Sequence, residues 1–168
     1  SLVETFVILQ KKGMSHRDAK PQNILCFGDE GYKLCDFGEA KAKKKELSNM
    51  KNIEYELNTK KQTVRGTELY MSPILFKALQ TKKNETVKYN AYKSDVFSLG
   101  MCFLLASSLD FEALYEIREE DNMENVKASI YKYLQNRYSN HYIKLLISML
   151  NVDESERPDF IELNEMIV

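Results

Sequence analysis

Between Ser15 and Ala40 the chain reads SHRDAKPQNILCFGDEGYKLCDFGEA. Asp18, Lys20, Asn23 and Asp36 within it are residue types suited to moving a phosphoryl group. That reaction needs a carboxylate to orient the attacking hydroxyl and accept its proton, and oxygen ligands for the divalent cations on the phosphates. Asp18, Asn23 and Asp36 present carboxylate and amide oxygens of the kind Mg²⁺ takes. Lys20 adds a point charge able to neutralise a transferring phosphoryl group. By residue type alone a second reading stays open, because short polar residues near Pro and Gly also cap and turn loops.

The surrounding elements must bring these residues together. LVETFVILQKKG has apolar residues at 2, 3, 6, 7 and 9, a helical stripe that Gly13 is suited to stop. Residues 14–23 read as an irregular loop. NILCF and YKLCD flank the turn GDEG as a small hairpin, which folds Asp36 back towards the loop carrying Asp18 and Asn23. From Phe37 to Arg65 no period survives, and a long surface loop is expected. SPILFKALQ is a short helix with Pro73 near its start, and TKKNETVKYN is polar connection. KSDVFSLGMCFLLASSL is apolar on nearly every side from Val96 onward, so it belongs at the centre of the core. MENVKASIYKYLQ, HYIKLLISML and PDFIELNEMI complete a mainly α fold with one small β-hairpin.

Composition sets wider bounds. The 168 residues suffice for one domain with a sizeable core; 43% are hydrophobic and 29% charged, an ordinary globular balance. A net charge of −1 argues against a chain-wide nucleic-acid footprint. The charge is uneven: residues 41–65 hold eight Lys/Arg against three Glu. That basic run reads first as a solvated face, with binding to acidic partners or nucleic acid as the alternative. Cys26, Cys35 and Cys102 lack metal-ligand spacing and read as small buried hydrophobes in a reducing compartment. The longest apolar run, Leu99 to Ala106, is too short to span a membrane, and Leu2 to Leu9 is no secretory leader. An intracellular, cytoplasmic location is expected.

The spacing separates the two readings of the first stretch. His16-Arg17-Asp18 with Asn23 five residues after Asp18 fits H-R-D-x-x-x-x-N, and Asp36-Phe37-Gly38 fits D-F-G. GTELYMSP at 66–73, SDVFSLG at 94–100 and ERP at 156–158 follow in order. On these motifs the chain resembles the C-terminal lobe of a eukaryotic protein kinase of the Ser/Thr type, over essentially its whole length. The resemblance implies a catalytic loop at 16–23, an activation segment at 36–73 and a helical subdomain at 74–168.

It also implies roles. Asp18 is the expected catalytic base, and Lys20 the contact to the ATP γ-phosphate and the mark of the Ser/Thr pattern. Asn23 and Asp36 are the expected Mg²⁺ (or Mn²⁺) ligands, and Leu25 lies beneath the adenine. Thr67 hydrogen-bonds near Asp18 and Lys20 and favours Ser/Thr substrates. Asp95 holds the catalytic-loop backbone; an exposed helix N-cap is the alternative, though the apolar run that follows favours burial. His16 and Phe37 stack in the active arrangement, and Gly38 completes the D-F-G. Thr63 is the first candidate for activating phosphorylation, with Thr59 and Ser48 behind it, and Arg17 is the partner for the added phosphate. Cys35, just before Asp36, is read as an inert strand residue.

Two departures stand out. Ile74 occupies the place of the Glu that ends the family's A-P-E, so the ion pair that Glu forms with the residue matching Arg157 is lost. Arg157 is then expected to be more exposed or to find Glu154 or Glu156, and Ile74→Glu to be neutral or stabilising. Second, the fifteen residues before His16 hold no Gly-rich loop, no strand Lys and no helix Glu. The chain is therefore expected to be an excerpt of a longer protein, inactive alone and completed by an N-terminal lobe. Isolation should leave Leu25 and Phe27 exposed.

The function expected is phosphoryl transfer from ATP to Ser/Thr hydroxyls of protein substrates, with no nucleic-acid partner. The alternative is a non-catalytic kinase-like scaffold or allosteric module, for which the missing lobe and Ile74 speak. A small-molecule phosphotransferase is a third possibility, against which GTELYMSP resembles a peptide-substrate loop.

Overall fold

The apolar run after Asn90 forms the helix around which the other elements are arranged. In the computed structural model, which describes residues 1–42, 61–81 and 86–167, this is α3, Ala91–Ser108. Asn90 caps it, its side-chain oxygen accepting the N–H groups of Tyr92 and Lys93 at 3.0 and 3.2 Å. Val96, Phe97, Leu99, Met101 and Leu104 are wholly buried, on several faces of the helix. Gly100 lets α3 approach a neighbour closely: a Cβ there would meet the Leu150 side chain at 3.0 Å.

Four further helices surround α3: α1 (Leu2–Lys11), α5 (Met123–Leu134), α6 (Asn140–Met149) and α7 (Phe160–Ile167). Leu2, Val3 and Phe6 of α1 pack with Val96, Leu99, Met149, Phe160 and Leu163. Val126, Ile130 and Leu134 of α5 pack on the other side with Phe97, Met101, Leu104, Ile143 and Leu146. Each contributes an apolar stripe at helical spacing, the main source of helix stability in a fold of this kind.

One helix goes beyond the sequence expectation. Residues Phe111–Glu119 form α4, capped by Asp110. Its inner face, Ala113, Leu114 and Ile117, is fully buried against the main core.

Among the described residues the strands are short and pair in twos, all antiparallel. β2 (Ile24–Cys26) and β3 (Tyr32–Leu34) form the expected hairpin, with Ile24 opposite Leu34. The segment expected to be all loop contains β4 (Lys41–Ala42) and β5 (Lys61–Thr63). β4 pairs with β1 (Met14–Ser15). β5 pairs with β6 (Thr86–Lys88), inside the stretch read as polar connection. Strands of two or three residues carry no readable alternation, so only the pairing reveals them.

α2 (Pro73–Thr81) lies beside this last pair. Its Leu75 and Phe76 join Met71, Tyr89 and Ala91 in a small separate core, with Ile74, Val64 and Val87 against it. Of the cysteines expected to be buried, Cys102 is and Cys35 is partly so, whereas Cys26 departs from expectation and is exposed. Leu25 and Phe27 are exposed on the hairpin, as expected. Among the described residues no helix is long and apolar enough to cross a membrane.

Candidate active site

Asp18 sits on a loop that a buried carboxylate holds from beneath. Asp95 projects from α3, and its two oxygens accept the backbone N–H groups of His16 at 2.7 Å and Arg17 at 2.8 Å. Asp95 is 2% exposed, so it is no surface cap. Burial pushes its carboxyl up to about 7, against the pull of those two N–H donors and Arg17. Arg17 takes a left-handed backbone conformation with φ of 69°, an uncommon one for a side-chain-bearing residue. The Asp95 bonds offset that strain and turn Asp18 towards Thr67.

The far end of the loop is closed by Asn23, whose Nδ2 donates to the Asp18 carbonyl at 2.8 Å and more weakly to Oδ2 at 3.4 Å. Asn23 ends a single 3₁₀ turn, Pro21–Asn23. With its amide nitrogen committed to Asp18, its oxygen is the atom left for a cation.

Asp18 is hydrogen-bonded on both oxygens. Oδ1 accepts the Thr67 N–H at 2.8 Å and the Thr67 hydroxyl at 2.7 Å. Oδ2 meets Lys20 Nζ at 2.8 Å, and Lys20 also donates to the Thr67 hydroxyl at 2.9 Å. Burial works against ionisation, but the bonds from Lys20 and Thr67 outweigh it and hold the carboxyl below its usual range. Gly66 makes this approach possible. Its φ is 113°, and a Cβ would lie 2.7 Å from the Arg17 carbonyl oxygen.

Asp36 reaches the site through the hairpin. The Cys35 N–H donates to the Asn23 carbonyl at 2.9 Å, extending the ladder to the doorstep of Asp36. Asp36 has φ of 56°, and its Oδ1 accepts the Gly38 N–H at 3.2 Å. His16 ties the two segments together: Nε2 donates to the Cys35 carbonyl at 3.0 Å, while Nδ1 accepts the Asp18 N–H at 3.3 Å. Burial lowers the His16 pKa, so the neutral ring that this pair of bonds requires is the favoured form. Phe37 meets the His16 ring edge-on at 5.0 Å between centroids. Phe6 meets its other side at 6.3 Å and stacks on Phe160 at 4.4 Å.

The remaining expected residues fall in two places. Thr63 ends β5 beside the loop, where Arg17 Nη2 donates to its carbonyl at 2.6 Å and its hydroxyl at 3.0 Å. Ser48 and Thr59 lie outside the described residues. Leu25 is on the hairpin's exposed surface.

Arg157 corrects an expectation. It is 1% exposed, and its guanidinium donates to the carbonyls of Asn151 at 2.7 Å, Lys93 at 3.1 Å and Val152 at 3.4 Å. The plane lies 5.0 Å from the Phe97 ring centroid. Among the described residues it has no ion-pair contact: backbone carbonyls and an aromatic face satisfy it, while Glu154, near enough to interact by charge, accepts the Asn90 N–H. Sequence reasoning also missed serines of α3 that tether residues 70–72. Ser98 Oγ donates to the Tyr70 carbonyl at 2.8 Å, and the Ser72 and Ser94 hydroxyls meet at 2.8 Å. Serines at positions 94 and 98 lie one helical turn apart, the only sequence hint of a shared face.

A family model described as the protein kinase domain matches residues 1–166. The chain belongs to the protein kinase family. Serine/threonine-protein kinase cds1 of Schizosaccharomyces pombe is 30% identical over 93% of the chain and 31% of its own length. Serine/threonine-protein kinase PKH2 of Saccharomyces cerevisiae is 32% identical over 68% of the chain and 10% of its own length. Serine/threonine-protein kinase Nek2 of Homo sapiens is 28% identical over 89% of the chain and 29% of its own length. The chain thus spans a third or less of these curated relatives. In kinase terms, the loop around Asp18, the Asp36 hairpin and the Thr67 segment meet on one side of the helical subdomain.

Proposed function

We propose that this chain is the lower, helical lobe of a protein serine/threonine kinase, with Asp18 as its catalytic base. The observation that carries the reading is the Asp18–Lys20–Thr67 network, which joins catalytic loop and activation segment through both oxygens of one carboxylate. An N-terminal lobe in the parent protein would complete the nucleotide site above Leu25.

In the reaction proposed, a protein Ser or Thr hydroxyl attacks the γ-phosphorus of ATP in line. The new O–P bond forms as the bond to the β–γ bridging oxygen breaks, and ADP leaves with that electron pair. Asp18 orients the hydroxyl and takes its proton. Its depressed pKa keeps it ionised at neutral pH, so its first contribution is orientation and its second is accepting the proton as the phosphoryl group departs. Lys20 carries positive charge to the phosphoryl oxygens. Asn23 and Asp36 fit Mg²⁺ or Mn²⁺ by donor chemistry, both offering hard oxygens. Such an ion, when bound, neutralises phosphate charge. Asp95 and His16 keep the loop in register without touching the reacting atoms.

Arg17 beside Thr63 supports a regulatory reading of the same site. A phosphate on Thr63 would find a guanidinium already within hydrogen-bond reach.

The test is phosphoryl transfer by the full-length parent chain from γ-labelled ATP to peptides containing Ser, Thr or Tyr. Label on Ser and Thr is the expected result. Transfer to Tyr alone would remove the Ser/Thr assignment. No transfer by a folded, Mg²⁺-supplied chain would favour the non-catalytic module.

A further inference from the structure

We propose that Arg118 is a positioning residue that holds the peptide-facing segment 66–76 from the side of α4. The segment carries Thr67, which bonds Asp18 directly, so its placement sets where an acceptor hydroxyl meets the base. Ile74 is apolar and cannot pair with a cation, and Arg157 is fully engaged with backbone carbonyls and Phe97. Arg118 is a cation that does reach this segment. It sits in the last turn of α4, a helix whose inner face is locked into the main core. Its guanidinium carbon lies 4.6 Å from the Phe76 ring centroid and 5.4 Å from that of Tyr115. Nη1 donates to Glu68 Oε1 at 3.4 Å, next to Thr67.

These contacts grip both ends of the segment. Glu68 opens the single 3₁₀ turn Glu68–Tyr70 that follows Thr67, and Phe76 lies in α2. The Arg118 side chain is 13% exposed, unusually low for arginine, and its Nε is buried without a hydrogen-bond partner among the described residues. The planar cation is held by ring faces and by the Glu68 carboxylate, with the exposed Glu119 Oε1 a further 3.9 Å from Nη2. Glu68 itself is 59% exposed, so the ion pair fixes direction more than it supplies strength. Beyond the loop, a cleft of about 710 Å³ runs between Asp18, Val64, Thr67, Glu68, Met71 and Leu79. Two of its walls are the elements Arg118 holds, so loosening them alters peptide binding before it alters nucleotide chemistry.

The kinetic arm of the test rests on the proposed kinase reading; the exchange arm does not. In the full-length chain, Arg118→Leu and Glu68→Gln are compared with the parent by hydrogen–deuterium exchange and by peptide kinetics. In Arg118→Leu, amides of residues 66–76 should exchange about tenfold faster while those of 96–104 in α3 keep their protection. Peptide KM should rise at least about fivefold, with the KM for ATP within about twofold. Glu68→Gln should move both readouts in the same direction by less. Unchanged exchange and unchanged peptide KM would overturn the proposal. So would equal loss of protection in α3, which would make Arg118 a general fold residue. Faster exchange confined to 66–76 in a parent chain that transfers no phosphate would support the brace while removing the kinase reading.

Discussion

The Thr67 hydroxyl donates to Asp18 Oδ1 at 2.7 Å and accepts from Lys20 at 2.9 Å, linking two segments 49 residues apart. Removing that hydroxyl while keeping the shape tests its contribution. Thr67→Val should lower kcat of the full chain about 10–100-fold, the range for losing one aimed hydrogen bond to a charged group. Thr67→Ser should retain most activity. Equal rates for Thr67→Val and the parent in a steady-state peptide assay would show that the bond does not bear on catalysis.

The ionisation of Asp18 has a stability consequence whose sign is fixed. Its folded pKa is depressed below the ordinary value of 3.8 by Lys20 and Thr67. The stabilisation is therefore fully present above about pH 4 and is lost as pH falls through the folded value. Denaturant midpoints of the parent and Asp18→Asn should differ most near neutrality and converge as pH falls through the depressed folded value. A gap that stays constant across that range would assign the effect to packing instead.

Ile74 illustrates a reversal. From sequence, restoring an acidic residue there reads as neutral or helpful. In the fold Ile74 packs against the cluster of Met71, Leu75, Phe76, Tyr89 and Ala91, and Arg157 already has three carbonyl acceptors. Ile74→Glu should accordingly destabilise the protein by about 1–3 kcal/mol, the usual range for placing a polar group in apolar surroundings. Equilibrium unfolding checks it; a raised midpoint would mean that Arg157 leaves its carbonyls to pair with the new carboxylate.

The contrast between what was legible and what was not follows from the kind of signal involved. Asp18, Lys20, Asn23 and Asp36 stand close in sequence at fixed spacings, and the hairpin joining them has ordinary turn chemistry. α3 declared its central position by being apolar on every side. Arg157 and Ile74 could not be read, since how a buried guanidinium is satisfied depends on carbonyls from residues 93, 151 and 152. Helix α4 was missed although Asp110 and the spacing of Ala113, Leu114 and Ile117 announce it. Its outward side is charged, and one short apolar face is a weak periodic signal. β4, β5 and β6 exist only through their long-range pairing.

The position of Thr63 gives a regulatory prediction. Arg17 already donates to its hydroxyl, so a phosphate there gains a charge-assisted partner. Thr63→Ala should lower the activity of the phosphorylated full chain, and phosphatase treatment should reduce the parent to the same level. Parent turnover that survives complete dephosphorylation, confirmed by mass spectrometry, would remove Thr63 from the regulatory scheme.

The central claim is that Asp18 is the base of a phosphoryl-transfer site. Its most direct measurement is single-turnover transfer from γ-labelled ATP to a Ser/Thr peptide by the full-length chain, parent against Asp18→Asn. The account predicts a rate lower by about 10²–10⁴-fold in the variant, with nucleotide affinity essentially retained. A rate within about threefold of the parent would contradict it.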